Sequence, residues 1–124
     1  MYTVLRMTCD SDEKLGDLIN IGERIERLRK GAFTGLRKDA NWFACTIAGD
    51  SDPENHRAEI LSGVSLLANE IKDAIGLGFR ATLDLAVEPE DFGNAPYTSI
   101  GFDSGVLEKV TTMGIGIEVT IYRP

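Results

Sequence analysis

His56 is the one histidine in the sequence, and its surroundings decide whether acid–base or nucleophilic catalysis is expected. A catalytic imidazole needs a nucleophile or a carboxylate within hydrogen-bond reach. The sequence places Asn55 and Arg57 beside it in the first turn of a predicted helix, and shows no such partner. We therefore expect His56 to be a solvent-facing helix residue. Carboxylate chemistry around Asp84, Glu118 or His56 ranks last among the functions considered, and we predict that the protein is not an enzyme.

Metal ligands are equally sparse. One histidine and two distant cysteines, Cys9 and Cys45, lack the clustered spacing of a zinc site. Oxygen ligands are available from Asp50, Asp52 and Glu54, but this stretch lacks the length and spacing of a calcium loop and is better explained as the start of a helix. We predict no metal site and no cofactor. The two cysteines are expected to be reduced thiols, because small disulfide-stabilised proteins carry more of them.

Two short strings resemble catalytic motifs without meeting their requirements. Residues 101–105 read Gly-Phe-Asp-Ser-Gly, which resembles a nucleophile elbow but has Asp103 at the position of the nucleophilic serine. Residues 49–51 read Gly-Asp-Ser, similar to the serine block of some lipases and esterases. In those enzymes the catalytic histidine lies far downstream, whereas His56 follows at once. We interpret 101–105 as a strand-to-helix turn with a cap.

Charge is unevenly distributed along the 124 residues. The net charge is −7, yet residues 24–38 are basic, so the rest of the chain is more acidic than the total indicates. An acidic protein repels a nucleic-acid backbone and attracts basic partners. The basic stretch either clamps a phosphate or is a solvated face whose arginines pair with Glu23 or Glu26 at helical spacing. No apolar run approaches the ~18 residues of a membrane span, and no signal peptide is recognised, so a cytoplasmic protein is expected.

Strands are predicted where β-forming residues alternate with polar ones. These stretches are residues 2–8, 41–47, 79–87 and 115–122, with a further short strand at 97–102. In 41–47 we predict that Phe43, Cys45 and Ile47 pack against a helix while Trp42 lies on the other face of the sheet. The reverse assignment, with Trp42 in the core, is the open alternative, because register decides which face a strand residue takes.

The most regular helix is predicted over residues 53–75. Ser51 and Glu54 fit a capping box, and Pro53 sits where the first turn needs no backbone donor. A continuous apolar stripe then recurs every three or four residues, as expected for about six turns. It consists of Ile60, Val64, Leu67, Ile71 and Ala74. Shorter helices are predicted after Asp10 or Ser11 and after Asp103 or Ser104. Whether residues 23–30 continue the first helix or form a loop stays open.

These elements predict one α+β domain over residues 1–124. Alternation in the last two strands indicates a sheet with one covered face, which excludes a doubly wound parallel sheet. We expect an antiparallel or mixed four-stranded sheet with helices on one face. Two strand–helix–strand units at the ends of the chain would make it ferredoxin-like, with an extra long central helix between its halves.

The C-terminal stretch contains a recognisable set of short motifs, namely 101–104, Leu107, Met113-Gly114 and 117–122. Together with Gly31, Trp42, the helix over 53–75 and Tyr122, this set resembles an uncharacterised bacterial family known as domain of unknown function 4279. The family has no catalytic residues to carry over. The resemblance implies a small bacterial protein, in a setting where some members look like immunity proteins of toxin–immunity pairs.

From charge, missing catalytic motifs and this resemblance, we expect a cytoplasmic immunity protein that binds and neutralises a basic toxin domain, as in contact-dependent inhibition or a similar system. Partner contacts are predicted at acids near aromatic residues. They are Glu88, Glu90, Asp91, Phe92, Tyr97, Asp50 and Asp52. The alternative is a small-ligand-binding or regulatory protein, in which the polar face of strand 79–87 lines a pocket or an edge strand such as 115–122 pairs between subunits.

Overall fold

The computed structural model describes residues 1–29, 42–95, 99 and 101–123. It contains four strands and four α-helices, preceded or joined by 3₁₀ turns at Asp12–Lys14 and Pro89–Phe92. The strands are β1 (Tyr2–Thr8), β2 (Trp42–Ala48), β3 (Arg80–Val87) and β4 (Gly116–Ile121). The helices are α1 (Leu15–Leu28), α2 (Pro53–Leu66), α3 (Ala68–Gly76) and α4 (Ser104–Thr112).

The strands form one mixed sheet in the order β2-β1-β3-β4. β1 is antiparallel to both β2 and β3, whereas β3 and β4 are parallel neighbours. The predicted α+β class, with a mixed four-stranded sheet and helices on one face, is confirmed and is consistent with a ferredoxin-like arrangement. Part of the expected strand at 97–102 lies outside the described residues, and its described positions are not strand.

The covered face of the sheet holds the core. Leu5 and Met7 of β1, Phe43 of β2 and Leu83 of β3 are buried there against the helices. The predicted faces of β2 are confirmed: Phe43, Cys45 and Ile47 are at most 1% exposed, while Trp42 on the opposite face is only partly buried. Burial raises the pKa of the Cys45 thiol against the opposing effect of Arg29. Cys9 and Cys45 are not joined by a disulfide bond.

The first helix settles an alternative that the sequence leaves open. α1 continues through the charged residues after Gly22 as far as Leu28, because Leu18, Ile21 and Ile25 place one apolar face against the core along its whole length. Ser11 caps the preceding 3₁₀ turn, accepting a hydrogen bond from the Glu13 amide at 3.2 Å. Residues 30–41, which include Gly31 and the rest of the basic stretch, lie outside the described residues.

The long helix is interrupted, which corrects the prediction of one continuous element. α2 and α3 meet at Leu67, whose backbone angles (φ −98°, ψ 12°) depart from helical values. The hydrogen bonds Leu67 N to Gly63 O (3.1 Å) and Ile71 N to Leu67 O (2.9 Å) still carry the ladder across the joint. The apolar stripe therefore stays on one side, and all five of its members are fully buried.

The start of α2 is capped one residue later than predicted. Asp52, not Ser51, is the N-cap, and its Oδ2 accepts the Asn55 amide at 2.9 Å. Pro53 takes the first helical position as expected. None of the helices that the structure describes is both long and apolar enough to cross a membrane.

Candidate functional site

The face of the sheet opposite the helices carries an open pocket of about 900 Å³. Because strand side chains alternate between faces, the residues that each strand contributes to it lie two apart or are single. The floor is made largely of small residues, and larger side chains stand around it. The lining consists of Tyr2, Val4, Arg6, Thr8, Cys9, Asp10, Trp42, Ala44, Thr46, Asp84, Ala86, Thr120 and Tyr122.

An ion pair between neighbouring strands occupies the middle of this pocket. Nη2 of Arg6 in β1 donates to Oδ2 of Asp84 in β3, and Thr120 Oγ1 of β4 donates to Asp84 Oδ1 at 2.8 Å. Both oxygens of the buried Asp84 carboxylate are therefore occupied. Glu118 Oε2 lies 3.9 Å from the same Arg6 nitrogen. In the described part of the chain, Nε and Nη1 of Arg6 have no hydrogen-bond partner, and its side chain is 33% exposed.

The pocket runs along β1, from Tyr2 at one end to Thr8 at the other, roughly 20 Å for a strand of this length. At the first end, burial, a hydrogen bond with Tyr122 and the nearby Glu88 carboxylate raise the pKa of Tyr2 to about 12. At the second end, Trp42 pairs across the strands with Thr8. Aromatic side chains thus lie at both ends of an elongated groove, and the polar groups of Arg6, Asp84 and Thr120 lie at its centre.

His56 is buried, which corrects the expectation of a solvent-facing residue. It is 1% exposed and lies on the helix-covered side of the sheet. Its Nδ1 is 2.9 Å from the Asp50 carbonyl oxygen, an atom that only accepts, so Nδ1 carries a hydrogen. In the neutral ring, Nε2 then accepts from Thr3 Oγ1 at 2.7 Å. The missed signal is its spacing: His56 precedes Ile60 by four residues and belongs to the buried stripe of α2.

The predicted partner-binding residues around 88–92 divide into inward and outward side chains. Glu90 is exposed, whereas Glu88, Asp91 and Phe92 are partly buried. Asp91 accepts hydrogen bonds from the Glu88 amide at 2.7 Å and from the Met1 ammonium group at 2.5 Å. Burial alone would raise the pKa of Asp91, but these contacts outweigh it and the pKa is lowered. Tyr97 lies outside the described residues.

Asp50 and Asp52 are both exposed, and both stabilise the turn that starts α2. Asp50 Oδ1 accepts the Asp52 amide at 2.9 Å, and Asp52 caps the helix. They lie at the same end of the sheet as the 88–92 turn, because β2 and β3 are both antiparallel to β1 and therefore end together. His56 Nδ1 contacts the Asp50 carbonyl oxygen in the first of these segments. The structure thus places the two predicted acidic segments at one end of the sheet, on either side of β1.

Two other sequence motifs have structural roles. Arg24 of the basic stretch pairs with Asp73 (2.8 Å) and Glu70 (3.4 Å) on α3. Asp103 caps α4 by accepting the Val106 amide at 3.0 Å, which confirms the interpretation of 101–105 as a capped turn. Among the residues that the structure describes, no three His, Cys, Asp or Glu side chains form a group able to hold a metal ion.

Comparisons of the chain with protein-family models, with curated proteins and with solved structures found no match.

Proposed function

We propose that this protein binds a small, partly apolar ligand in the pocket on the open face of its sheet. The observation that carries this proposal is the pocket itself. Its volume of about 900 Å³ falls within the range of about 300–1,000 Å³ that is usual for ligand sites. Its lining also has the usual composition, with a few convergent polar groups among apolar and aromatic side chains.

The side chains that could do chemistry support binding over catalysis. Each oxygen of Asp84 already accepts a hydrogen bond, one from Arg6 and one from Thr120, so this carboxylate has a structural role between the strands. His56 is buried, and both of its ring nitrogens have partners within the protein. Donors remain available in the pocket, among them the N–H groups of Arg6 that do not contact Asp84.

The charge of the lining narrows the class of ligand. Asp84 compensates the charge of Arg6, Asp10 adds a further negative charge, and Glu118 approaches from β4. An anion would therefore enter a site of net negative charge, which costs free energy. An uncharged ligand with a hydrogen-bond acceptor facing Arg6 fits best, and its planar or apolar part would lie against Trp42 or Tyr2.

Tryptophan fluorescence and thermal unfolding test this proposal, because Trp42 is the single tryptophan and lines the pocket. A panel of uncharged, cationic and anionic metabolites should contain an uncharged compound that changes Trp42 emission and raises Tm. Thr46→Phe, which fills the pocket floor, should abolish both effects. Ser65→Phe on the exposed side of α2 should leave them unchanged. No response from any compound, or equal loss in both variants, contradicts the proposal.

A second candidate is the immunity protein that neutralises a basic toxin domain. It is supported by the joint position of the acidic segments around Asp50 and Glu90 at one end of the sheet. Acidic groups at an interface speed the encounter with a basic partner. Glu90→Lys should slow association with a toxin domain encoded by a neighbouring gene and weaken its salt dependence. Glu13→Lys, exposed beyond the opposite end of β1, is the matched control. Equal on-rates for both variants would exclude this surface.

A further inference from the structure

The edge strand β4 has an uncovered apolar face. Its side chains Ile117, Val119 and Ile121 are 39%, 52% and 63% exposed, although they lie on the same face of the sheet as the buried Leu83 and Leu85. Among the described elements, β4 packs mainly against β3, and the helix layer stops short of it. Isolated exposed apolar residues are ordinary, but three in a row along a sheet edge are not.

Among the strands that the structure describes, β4 pairs only with β3, so its outer edge has no strand partner. The Tyr122 amide donates to the Val87 carbonyl of β3 at 2.9 Å. In a parallel pair, alternate residues point their N–H and C=O groups at the same neighbour, so residues 118 and 120 also face β3. The backbone groups of Ile117, Val119 and Ile121 therefore point away from the sheet. The strand carries no proline or lysine, the residues that usually protect such an edge from pairing.

We propose that β4 pairs antiparallel with β4 of a second copy, through a two-fold axis at Val119. Antiparallel pairing uses outward-facing residues in pairs that exchange two hydrogen bonds. Val119 then meets its own copy, and Ile117 meets Ile121 on either side, which gives about six hydrogen bonds between the copies. The three apolar side chains of each copy form one continuous stripe, and the two sheets become a single eight-stranded sheet.

Charge favours this register over the one with its axis at Glu118. On the open face, Glu118 lies opposite Thr120 of the second copy, so no carboxylates face one another. A two-fold axis at Glu118 would place two carboxylates directly opposite, which is destabilising. An axis at Ile117 or Ile121 would leave fewer residues paired. A second copy of the chain therefore complements β4 in three ways: its backbone groups form the hydrogen bonds, its apolar side chains extend the stripe, and its carboxylates do not face those of the first copy.

The interface is small, so the dimer should depend on concentration. Interfaces below about 1,200 Å² are typical of weak complexes, and we expect mostly monomer near 1 µM and mostly dimer above about 100 µM. Each copy carries a net charge of −7. Because like charges repel and salt screens them, association should strengthen as ionic strength rises. This inference is independent of the ligand proposal, since its measurement is the oligomeric state.

Sedimentation velocity of the full chain over about 1–200 µM tests the pairing at concentrations that bracket a micromolar Kd. Wild type should shift from monomer to dimer. Val119→Lys, which puts two ammonium groups at the axis, should stay monomeric with unchanged circular dichroism. Leu66→Lys, a similarly exposed site on α2 at 50%, should dimerise like wild type. Monomer at every concentration, or dimerisation of Val119→Lys, overturns the proposal.

Cross-linking tests the register. A cysteine at residue 119 meets its own copy, whereas a cysteine at residue 117 faces Ile121. Val119→Cys should therefore form a covalent dimer with a short bis-maleimide at least tenfold faster than Ile117→Cys. The buried Cys9 and Cys45 of the wild-type chain provide the background rate. Equal rates for the two variants, or a faster rate for Ile117→Cys, would contradict the axis at Val119.

Discussion

Trp42 and Phe43 are consecutive residues of β2 whose side chains lie on opposite faces of the sheet. Phe43 is fully buried beneath the helices, whereas Trp42 is partly exposed in the pocket. Phe43→Ala should lower the free energy of unfolding by about 3–5 kcal/mol, the usual cost of an aromatic cavity in a core. Trp42→Ala should cost about 1–2 kcal/mol, because solvent refills its site.

Urea unfolding followed by circular dichroism at 222 nm measures both changes without relying on the tryptophan signal. A protein with Trp42→Ala that fails to fold would show that the open face is part of the core. Trp42→Phe serves as the control that keeps an aromatic wall in the pocket.

The pair Arg6–Asp84 should couple the central strands energetically. Asp84→Leu leaves Arg6 without its buried partner and should lower the free energy of unfolding by about 1–3 kcal/mol, less than for a fully buried pair because Arg6 is one-third exposed. The double variant Arg6→Met/Asp84→Leu should recover most of that loss, since no unpaired charge remains.

The measurement is a double-mutant cycle by urea unfolding. Thr120→Val removes only one hydrogen bond to Asp84 and should cost about 1 kcal/mol. Additive losses in the double variant would mean that Arg6 and Asp84 act separately.

Gly63 allows α2 to approach β2 closely. A Cβ there would lie 2.9 Å from Arg29 Nη1 and 3.1 Å from Ile47 Cβ. The arginine tip can move, but the Ile47 Cβ is fixed to its strand, so Gly63→Ala should cost about 1–3 kcal/mol through overpacking. Gly76→Ala meets no atom within 4 Å and should stabilise the helix by about 0.5–1 kcal/mol. Thermal and urea unfolding, measured in parallel, compare the Gly63→Ala and Gly76→Ala variants. Similar Tm values for both would refute the close approach of α2 to β2 at Gly63.

The raised pKa of Tyr2 predicts that the free energy of unfolding decreases at high pH. Its pKa is raised from 10.0 to about 12, so the folded protein keeps the phenol proton more tightly than the unfolded chain does. The contribution of the Tyr2 phenol to the free energy of unfolding is constant below pH 10. It falls between pH 10 and about pH 12, and it is absent above that range. Tyr2→Phe should therefore show a shallower decline of the urea midpoint over this interval. Absorbance at 295 nm should lose its latest-titrating tyrosine in the same variant, and an unchanged titration curve would count against this assignment.

The sequence is sufficient for the fold class because that class depends on local periodicity. The alternation in β3 lies within one strand, and the apolar stripe keeps one helical spacing through α2 and α3. The face of Trp42 differs from these, because alternation in β2 is compatible with either assignment. The pairing of strands depends on contacts between distant segments, so the order β2-β1-β3-β4 has no comparable local signal. The break at Leu67 was missed for a related reason: both segments keep the same buried side.

The candidate site is harder to predict for the same reason. The pocket combines alternate residues from four strands, and Arg6 becomes Asp84's partner only after β1 and β3 are aligned. Asp91 was predicted to face a partner, but hydrogen bonds from the Glu88 amide and the Met1 ammonium group turn it inward. The expectation that His56 faces solvent is wrong, and the spacing of the helix already indicates burial. His56 lies four residues before Ile60 and therefore on the same face of α2.

The central position of β1 has a consequence for the order of folding during synthesis. β1 is synthesised before the other three strands, and its partner β3 follows some 78 residues later, the separation of Arg6 and Asp84. Until then β1 can pair only with β2, and one edge of an apolar strand stays exposed to other chains. Pairings of such long sequence separation slow folding. The β1–β3 pairing, and with it the Arg6–Asp84 ion pair, can therefore form only after most of the chain has been synthesised.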